Sequence, residues 1–287
     1  MGYSDPAVSD PAATGSATPW HAALRIAEKA ARAAATHLIA SRSRLSLAFL
    51  MQRSPEQMAR SVEVEAANLI RAEVRRAYPD HLVLGPKDPW SADRLEGSAV
   101  WLVDALDGSS AYLAGRPHFA VTVALVVNGQ VRVAVVVDPS TQEVFRAIAG
   151  LGAWVDRPGD GRPEREAMWC SVRNECAQAY AATIFPPPGS PRMPSYLGEI
   201  GRVMKSFKHV QRTGCTSLAL ANLAAGRIDA FWAHDQPLCD MAAGLLLVQQ
   251  AGGELRARDG LPLLRSRSIV ANTPSISYDF HSLLAGR

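Results

Sequence analysis

The stretch AVWLVDALDGSS, residues 99–110, decides the reading of this chain. An apolar run of β type ends on Asp104, a second carboxylate follows at Asp107, and Gly108, Ser109 and Ser110 come next. The spacing predicts a strand that stops at Asp104 and a turn that brings both carboxylates to one point. Two carboxylates held close repel unless a proton or a divalent cation lies between them. Hard oxygen ligands suit Mg²⁺ or Mn²⁺, with phosphate oxygens and water completing the shell. Gly108 lets the backbone approach a ligand, and a helical turn from Ser109 offers N–H groups to a phosphate. Taken alone, the pattern also describes an ordinary turn with a helix cap.

Outward from this stretch the pattern is regular. Downstream, FAVTVALVV and VRVAVVVD flank Asn128-Gly129, a hairpin signal, and EVFRAIAG and GAWVD continue as strands. Upstream lie an Ala-rich helix from about Trp20 to Ala40 and a second from Pro55 to Ala77, closed by Tyr78-Pro79. His81 to Leu84 reads as a short strand ended by Gly85-Pro86. Two helices followed by long β-branched runs predict a sheet covered on at least one face. The polar stretch 156–168 is the expected boundary between an N-terminal helix-plus-antiparallel-sheet domain, 19–155, and a C-terminal α/β domain, 156–287. Residues 1–18 have the composition of a disordered tail. In the second half, strands at QAYAATIF, HVQRTG and IDAFWA alternate with helices at Tyr196–Phe207, TSLALANLAAG and Met241–Ala251.

Composition narrows the class. At 48% hydrophobic and 20% charged residues, the 287-residue chain resembles an ordinary globular protein. No apolar run reaches the roughly 18 residues of a membrane span, and the N-terminus lacks a secretory pattern. The net charge of +3, from 30 basic and 27 acidic residues, is too small to predict a nucleic-acid partner. Only four of the basic residues are lysines: Lys29, Lys87, Lys205 and Lys208. Four cysteines without CxxC or zinc-type spacing predict reduced thiols and a cytoplasmic location.

A second piece is CDMAAG, residues 239–244, at the entry to an apolar helix. Asp240 there reads as a helix cap or as a third carboxylate on the cation of Asp104 and Asp107. Ala242, Ala243 and Gly244 would let another element pack against the first turn. Two aspartates plus a third is an arrangement that binds a metal polarising a phosphate.

LVDALDGSS (102–110), RTGCTSLALANLAAGRIDAF (212–231) and CDMAAGLLLVQQAGG (239–253) resemble successive signatures of the inositol monophosphatase family. Those signatures read approximately DPIDGT, RxxGSAA…A.GR.DA and WDxAAG…EAGG. The family comprises Mg²⁺-dependent, lithium-sensitive phosphomonoesterases related to fructose-1,6-bisphosphatase. The resemblance covers nearly all of the chain beyond the tail. It implies an α/β (α+β) fold, a layered αβαβα sandwich with the site at the domain junction. It further implies Mg²⁺ or Mn²⁺ as cofactor, a small phosphorylated molecule as substrate, and a homodimer. On the matched motifs, the implied metal set is Asp104, Leu106, Asp107 and Asp240. Ser109 stands where the family has the threonine that orients the attacking water, and joins the three aspartates as catalytic. The implied substrate-binding set is Gly108, Ser109, Ser110, Gly214, Cys215, Thr216 and His234.

The departures from the family pattern are local. Where the family has Gly-Glu-Glu, this chain has Gly85-Pro86-Lys87, so a ligand of the water-activating metal is replaced by Pro86. An upstream aspartate that supports the threonine corresponds, by counting, to Glu63. The substrate-contacting glutamate becomes Ala233, with His234 and Asp235 beside it, and Cys239 replaces a tryptophan. These changes imply fewer bound ions and a weakened site. Lys87 then has three readings: an ammonium in place of a metal, a solvent-facing side chain, or a bystander while Asp88, Asp93 or Glu96 supplies the lost ligand. Trp90 and Tyr112 read equally as pocket lining and as packing. The expected function is a Mg²⁺-dependent phosphomonoesterase acting on a small phosphorylated polyol, sugar or nucleotide. The alternative is a catalytically impaired relative that binds a phosphorylated ligand or a protein partner.

Overall fold

The Ala-rich start of the chain forms α1 (Pro19–Leu50), and Ser54 caps α2 (Pro55–Ala77), its hydroxyl accepting from the Gln57 amide. The computed structural model describes residues 18–50, 54–88, 92–160 and 163–286, without the side chains of 43–50, 55, 92 and 93. The tail expected over residues 1–18 thus lies, except for Thr18, outside the described residues, as does Trp90.

Seven strands follow in sheet order equal to chain order. They are β1 (Leu82–Leu84), β2 (Ala99–Asp107), β3 (Ala120–Val127), β4 (Gln130–Asp138), β5 (Glu143–Ile148), β6 (Gly152–Arg157) and β7 (Glu164–Ala167). Strand β1 runs parallel to β2, and every later pair is antiparallel. Asn128 and Gly129 both have positive φ, 51° and 69°, as a tight hairpin turn requires. Along β2, Trp101 and Val103 pack toward α1 and α2, whereas Val100 and Leu102 pack toward the opposite face. Burial on both faces explains why these strands read as nearly unbroken apolar runs.

The second sheet has the order β11-β12-β10-β8-β9. Its strands are β8 (Tyr180–Thr183), β9 (His209–Arg212), β10 (Ala230–Ala233), β11 (Glu254–Ala257) and β12 (Ile269–Asn272). Helices α5 (Thr216–Ala224) and α6 (Leu238–Gln250) fill the space between the sheets, in one core with both. A Cβ on Gly244 of α6 would come within 2.5 Å of Leu220 of α5, so the two helices pack at a distance only glycine permits. Helices α4 (Met193–Ser206) and α7 (Ser277–Ala285) cover the outer face of the second sheet around Trp232 and Phe280. The layers run α1/α2, sheet, α5/α6, sheet, α4/α7, which is the expected αβαβα sandwich.

Two expectations need correction. Strand β2 does not stop at Asp104 but continues to Asp107. The polar stretch 156–168 is not clear of the first sheet: β6 ends at Arg157, and β7 pairs with it through Ala167. The passage to the second sheet falls between Ala167 and Tyr180. Strands β7, β11 and β12 and helix α7 have no counterpart in the sequence reading.

Candidate active site

The continuation of β2 is what builds the site. Asp104 lies opposite Thr122 of β3 and Asp107 opposite Ala120, three steps on one strand against two on the other. That is a β-bulge. Residues three apart on a regular strand face opposite sides; the extra residue cancels this and turns both carboxylates the same way. Asp104 Oδ1 accepts from the Leu106 amide at 2.9 Å. Gly108 follows with φ +86°, and a Cβ there would meet the His118 carbonyl oxygen at 2.5 Å and Cys215 Cβ at 3.3 Å. Gly108 then caps α3 (Ser109–Leu113), a short helix.

Asp107 is tied to α5. Its Oδ2 accepts from the Ser217 amide at 2.8 Å, the Ser217 hydroxyl at 2.7 Å and the Cys215 thiol at 3.1 Å. Asp240 enters from the first turn of α6, and its Oδ1 is buried without a hydrogen-bond partner. Ligand oxygens of Asp104, Asp107 and Asp240 lie within 4.8 Å of one another. Burial and the Asp107 charge push Asp104 up to about 7. Burial also raises Asp107 against its donors, and burial with both neighbouring carboxylates raises Asp240 well above the usual range. Three hard oxygens, one an unsatisfied acceptor, in a cluster that repels itself, fit a divalent cation.

The triad opens into a cavity of about 310 Å³. Of the residues that the motifs single out, Leu106, Gly108, Ser109, Ser110, Gly214 and Thr216 line it, and so do Glu63, Pro86 and Lys87. Gln236 and Ile184 also line it and were not anticipated. Gln236 accepts from the Thr216 hydroxyl at 2.7 Å and donates to the His234 carbonyl at 2.6 Å, bridging α5 to the end of β10. Among the described residues, a larger cavity of about 560 Å³ beside α1 holds no comparable cluster, and its Arg32, Asp156 and Arg157 are engaged in ion pairs.

Two expected substrate contacts are placed elsewhere. Cys215 is fully buried, absent from the cavity wall, and donates to Asp107 instead. His234 is buried too, its Nε2 3.0 Å from Glu199 of α4, which also pairs with Arg258 at 2.9 Å. The pleat explains this: Trp232 points toward α4 and Ala233 toward α5/α6, so His234 points with Trp232 away from the cavity.

The open readings around the lost glutamates also resolve in part. Lys87 Nζ lies 2.7 Å from Glu63 Oε1. Asp88 accepts from the Gly85 amide at 2.7 Å and pairs with Arg71 at 2.7 Å. Glu96 pairs with Arg265. Neither Asp88 nor Glu96 lines the cavity, and the side chain of Asp93 lies outside the described residues. Tyr112 is a packing residue, its hydroxyl donating to the Leu38 carbonyl at 2.7 Å. Cys239 is a buried thiol whose pKa burial raises.

A layered αβαβα sandwich with a buried carboxylate cluster between its layers is also the class of fold that the comparisons with known proteins return. The model of the inositol monophosphatase family matches residues 20–286, and the chain belongs to that family. It is 36% identical over 233 residues to a protein of Pseudomonas aeruginosa named Nus factor SuhB, covering 80% of this chain and 83% of that one. It is 35% identical over 226 residues to an inositol-1-monophosphatase of Rhizobium meliloti, covering 78% and 82%. Among solved structures, an inositol monophosphatase from Anabaena superposes with a TM-score of 0.78 at 26% identity, over 94% of this chain and 97% of that one.

Proposed function

We propose that this chain is a divalent-cation-dependent phosphomonoesterase, acting with Mg²⁺ or Mn²⁺ on a small phosphorylated polyol, sugar or nucleotide. The observation that carries the reading is the buried triad of Asp104, Asp107 and Asp240, with its unsatisfied Asp240 oxygen, at the floor of a cavity of ligand size. These three carboxylates, with the Leu106 carbonyl, are the groups that would hold the cation. When bound, the cation supplies Lewis-acid polarisation of a phosphate oxygen. Asp107 is oriented for this by Ser217 and Cys215, and Asp104 by the Leu106 amide. Ser109 is the hydroxyl offered to the attacking water, Ser110 and Thr216 face the phosphorylated ligand, and Gly108 and Gly214 keep the backbone close. Pro86 offers no side-chain oxygen where the family has a carboxylate, so the proposal includes fewer bound ions and slower turnover than is usual in the family. The working form is a cytoplasmic homodimer, on the family resemblance and the four free cysteines; among the described residues no helix is long and apolar enough to cross a membrane.

The test is phosphate release from a panel of inositol, sugar and nucleotide monophosphates, with and without Mg²⁺, for the wild type, Asp104→Asn and Pro86→Glu/Lys87→Glu. Mg²⁺-dependent release that is lost in Asp104→Asn supports the enzyme. Release only from the double variant favours the second reading, a family member that binds a phosphorylated ligand or a protein partner without efficient hydrolysis. That reading draws on Pro86 and on relatives named for a Nus factor rather than for hydrolysis.

A further inference from the structure

Among the described residues, the cavity above the triad is lined by four carboxylates (Glu63, Asp104, Asp107 and Asp240) and a single cationic side chain, Lys87. Lys87 is also one of only four lysines in 287 residues. Its ammonium rests 2.7 Å from Glu63, reaching from the segment after β1 to helix α2. The partners are unequal: the Lys87 side chain is 59% exposed and that of Glu63 is 23%. The carboxylate is the seated partner and the ammonium the movable one. Pro86 fixes the backbone immediately before it, while the four-carbon stem of lysine leaves its three donors free to reorient. A solvent-exposed ion pair of this kind holds weakly, and a phosphate monoester dianion offers more charge and more acceptor oxygens than the carboxylate it would replace.

We propose that Lys87 is a phosphate-binding residue of this site: it rests on Glu63 in the free protein and passes to the phosphate of an incoming ligand. Glu63 is then the competitor that the phosphate displaces. The same exchange sets specificity, because a phosphomonoester dianion gains from it and a singly charged diester or sulfate ester gains much less. The proposal rests on the phosphate-site reading above, and its test separates the two.

The test is calorimetric titration of the full chain with inorganic phosphate at saturating Mg²⁺, which needs no knowledge of the organic substrate. Wild type binds; Lys87→Met binds about tenfold more weakly, and Lys87→Arg recovers most of the affinity. Glu63→Gln, which releases the lysine, binds phosphate more tightly than wild type. A purely structural Glu63–Lys87 pair would move Lys87→Met and Glu63→Gln in the same direction, and that result overturns the proposal. So does unchanged phosphate affinity in Lys87→Met. Absence of Mg²⁺-dependent phosphate binding in the wild type overturns the phosphatase reading together with this one.

Discussion

Gly108 and Asp240 carry opposite kinds of constraint. Gly108 combines φ +86° with a neighbouring carbonyl oxygen 2.5 Å from any Cβ, so Gly108→Ala must displace the His118–Phe119 segment or the bulge itself. The expected cost is about 2 kcal/mol of stability, read from the denaturant midpoint, with loss of cation binding because the bulge aims both carboxylates. Asp240 is strained electrostatically instead: its Oδ1 has no partner and two further carboxylates face it. Without divalent ions, Asp240→Asn is therefore expected to melt higher than wild type. With Mg²⁺ at about 100 times its dissociation constant, wild type should gain about 2.7 kcal/mol. That corresponds to a rise in Tm of about 5 °C, and Asp240→Asn should show none. A Mg²⁺-dependent rise of equal size in Asp240→Asn would remove the residue from the cation site.

At the scale of elements, a buried arginine clamps the first layer onto the first sheet. Arg146 of β5 pairs with Glu28 of α1 at 2.8 Å and with Asp156 of β6, its side chain 8% exposed. Arg146→Met leaves both carboxylates facing an apolar side chain, and about 3 kcal/mol of stability should be lost at neutral pH. Burial pushes the Glu28 carboxyl up, but Arg146 and Arg32 outweigh it and hold the group below its usual 4.5. A lowered carboxylate stabilises the fold above its unfolded pKa, and the contribution disappears as pH falls through the folded value. The gap between wild type and Arg146→Met, measured by urea midpoints, should therefore narrow between pH 6 and pH 3. What the sequence revealed follows the same local-versus-paired division. The run into Asp104, the Asn128-Gly129 turn and the entry to α6 were readable because their causes are local. The bulge exists only in the pairing of β2 with β3, and the Glu63–Lys87 contact joins residues 24 apart. Likewise β11 and β12 are four-residue strands defined by their partners, and the direction of His234 follows from the pleat of β10.

Across the whole molecule, the site is a junction between layers. Asp107 belongs to the first sheet, Ser217 and Asp240 to the helices between the sheets, and the Thr216–Gln236 contact reaches the end of β10 in the second sheet. A cation held there draws on two layers at once, the first sheet and the helices, so its affinity depends on how firmly α5 is registered against β2. Ser217 makes that registration, through both its amide and its hydroxyl on one oxygen of Asp107. Ser217→Ala keeps the amide and the packing but removes the hydroxyl, leaving Asp107 freer to rotate out of the triad. Loss of an outer hydrogen bond to a metal-binding carboxylate typically costs about 10-fold to 100-fold in affinity. Mn²⁺ or Mg²⁺ titrated into Ser217→Ala should accordingly bind about tenfold more weakly. The melting temperature without cation should fall by about 2–4 °C, since a buried hydrogen bond to a carboxylate is lost. If affinity is instead unchanged, the bulge in β2 orients Asp107 by itself, and the link between the sheet and α5 has no part in cation binding.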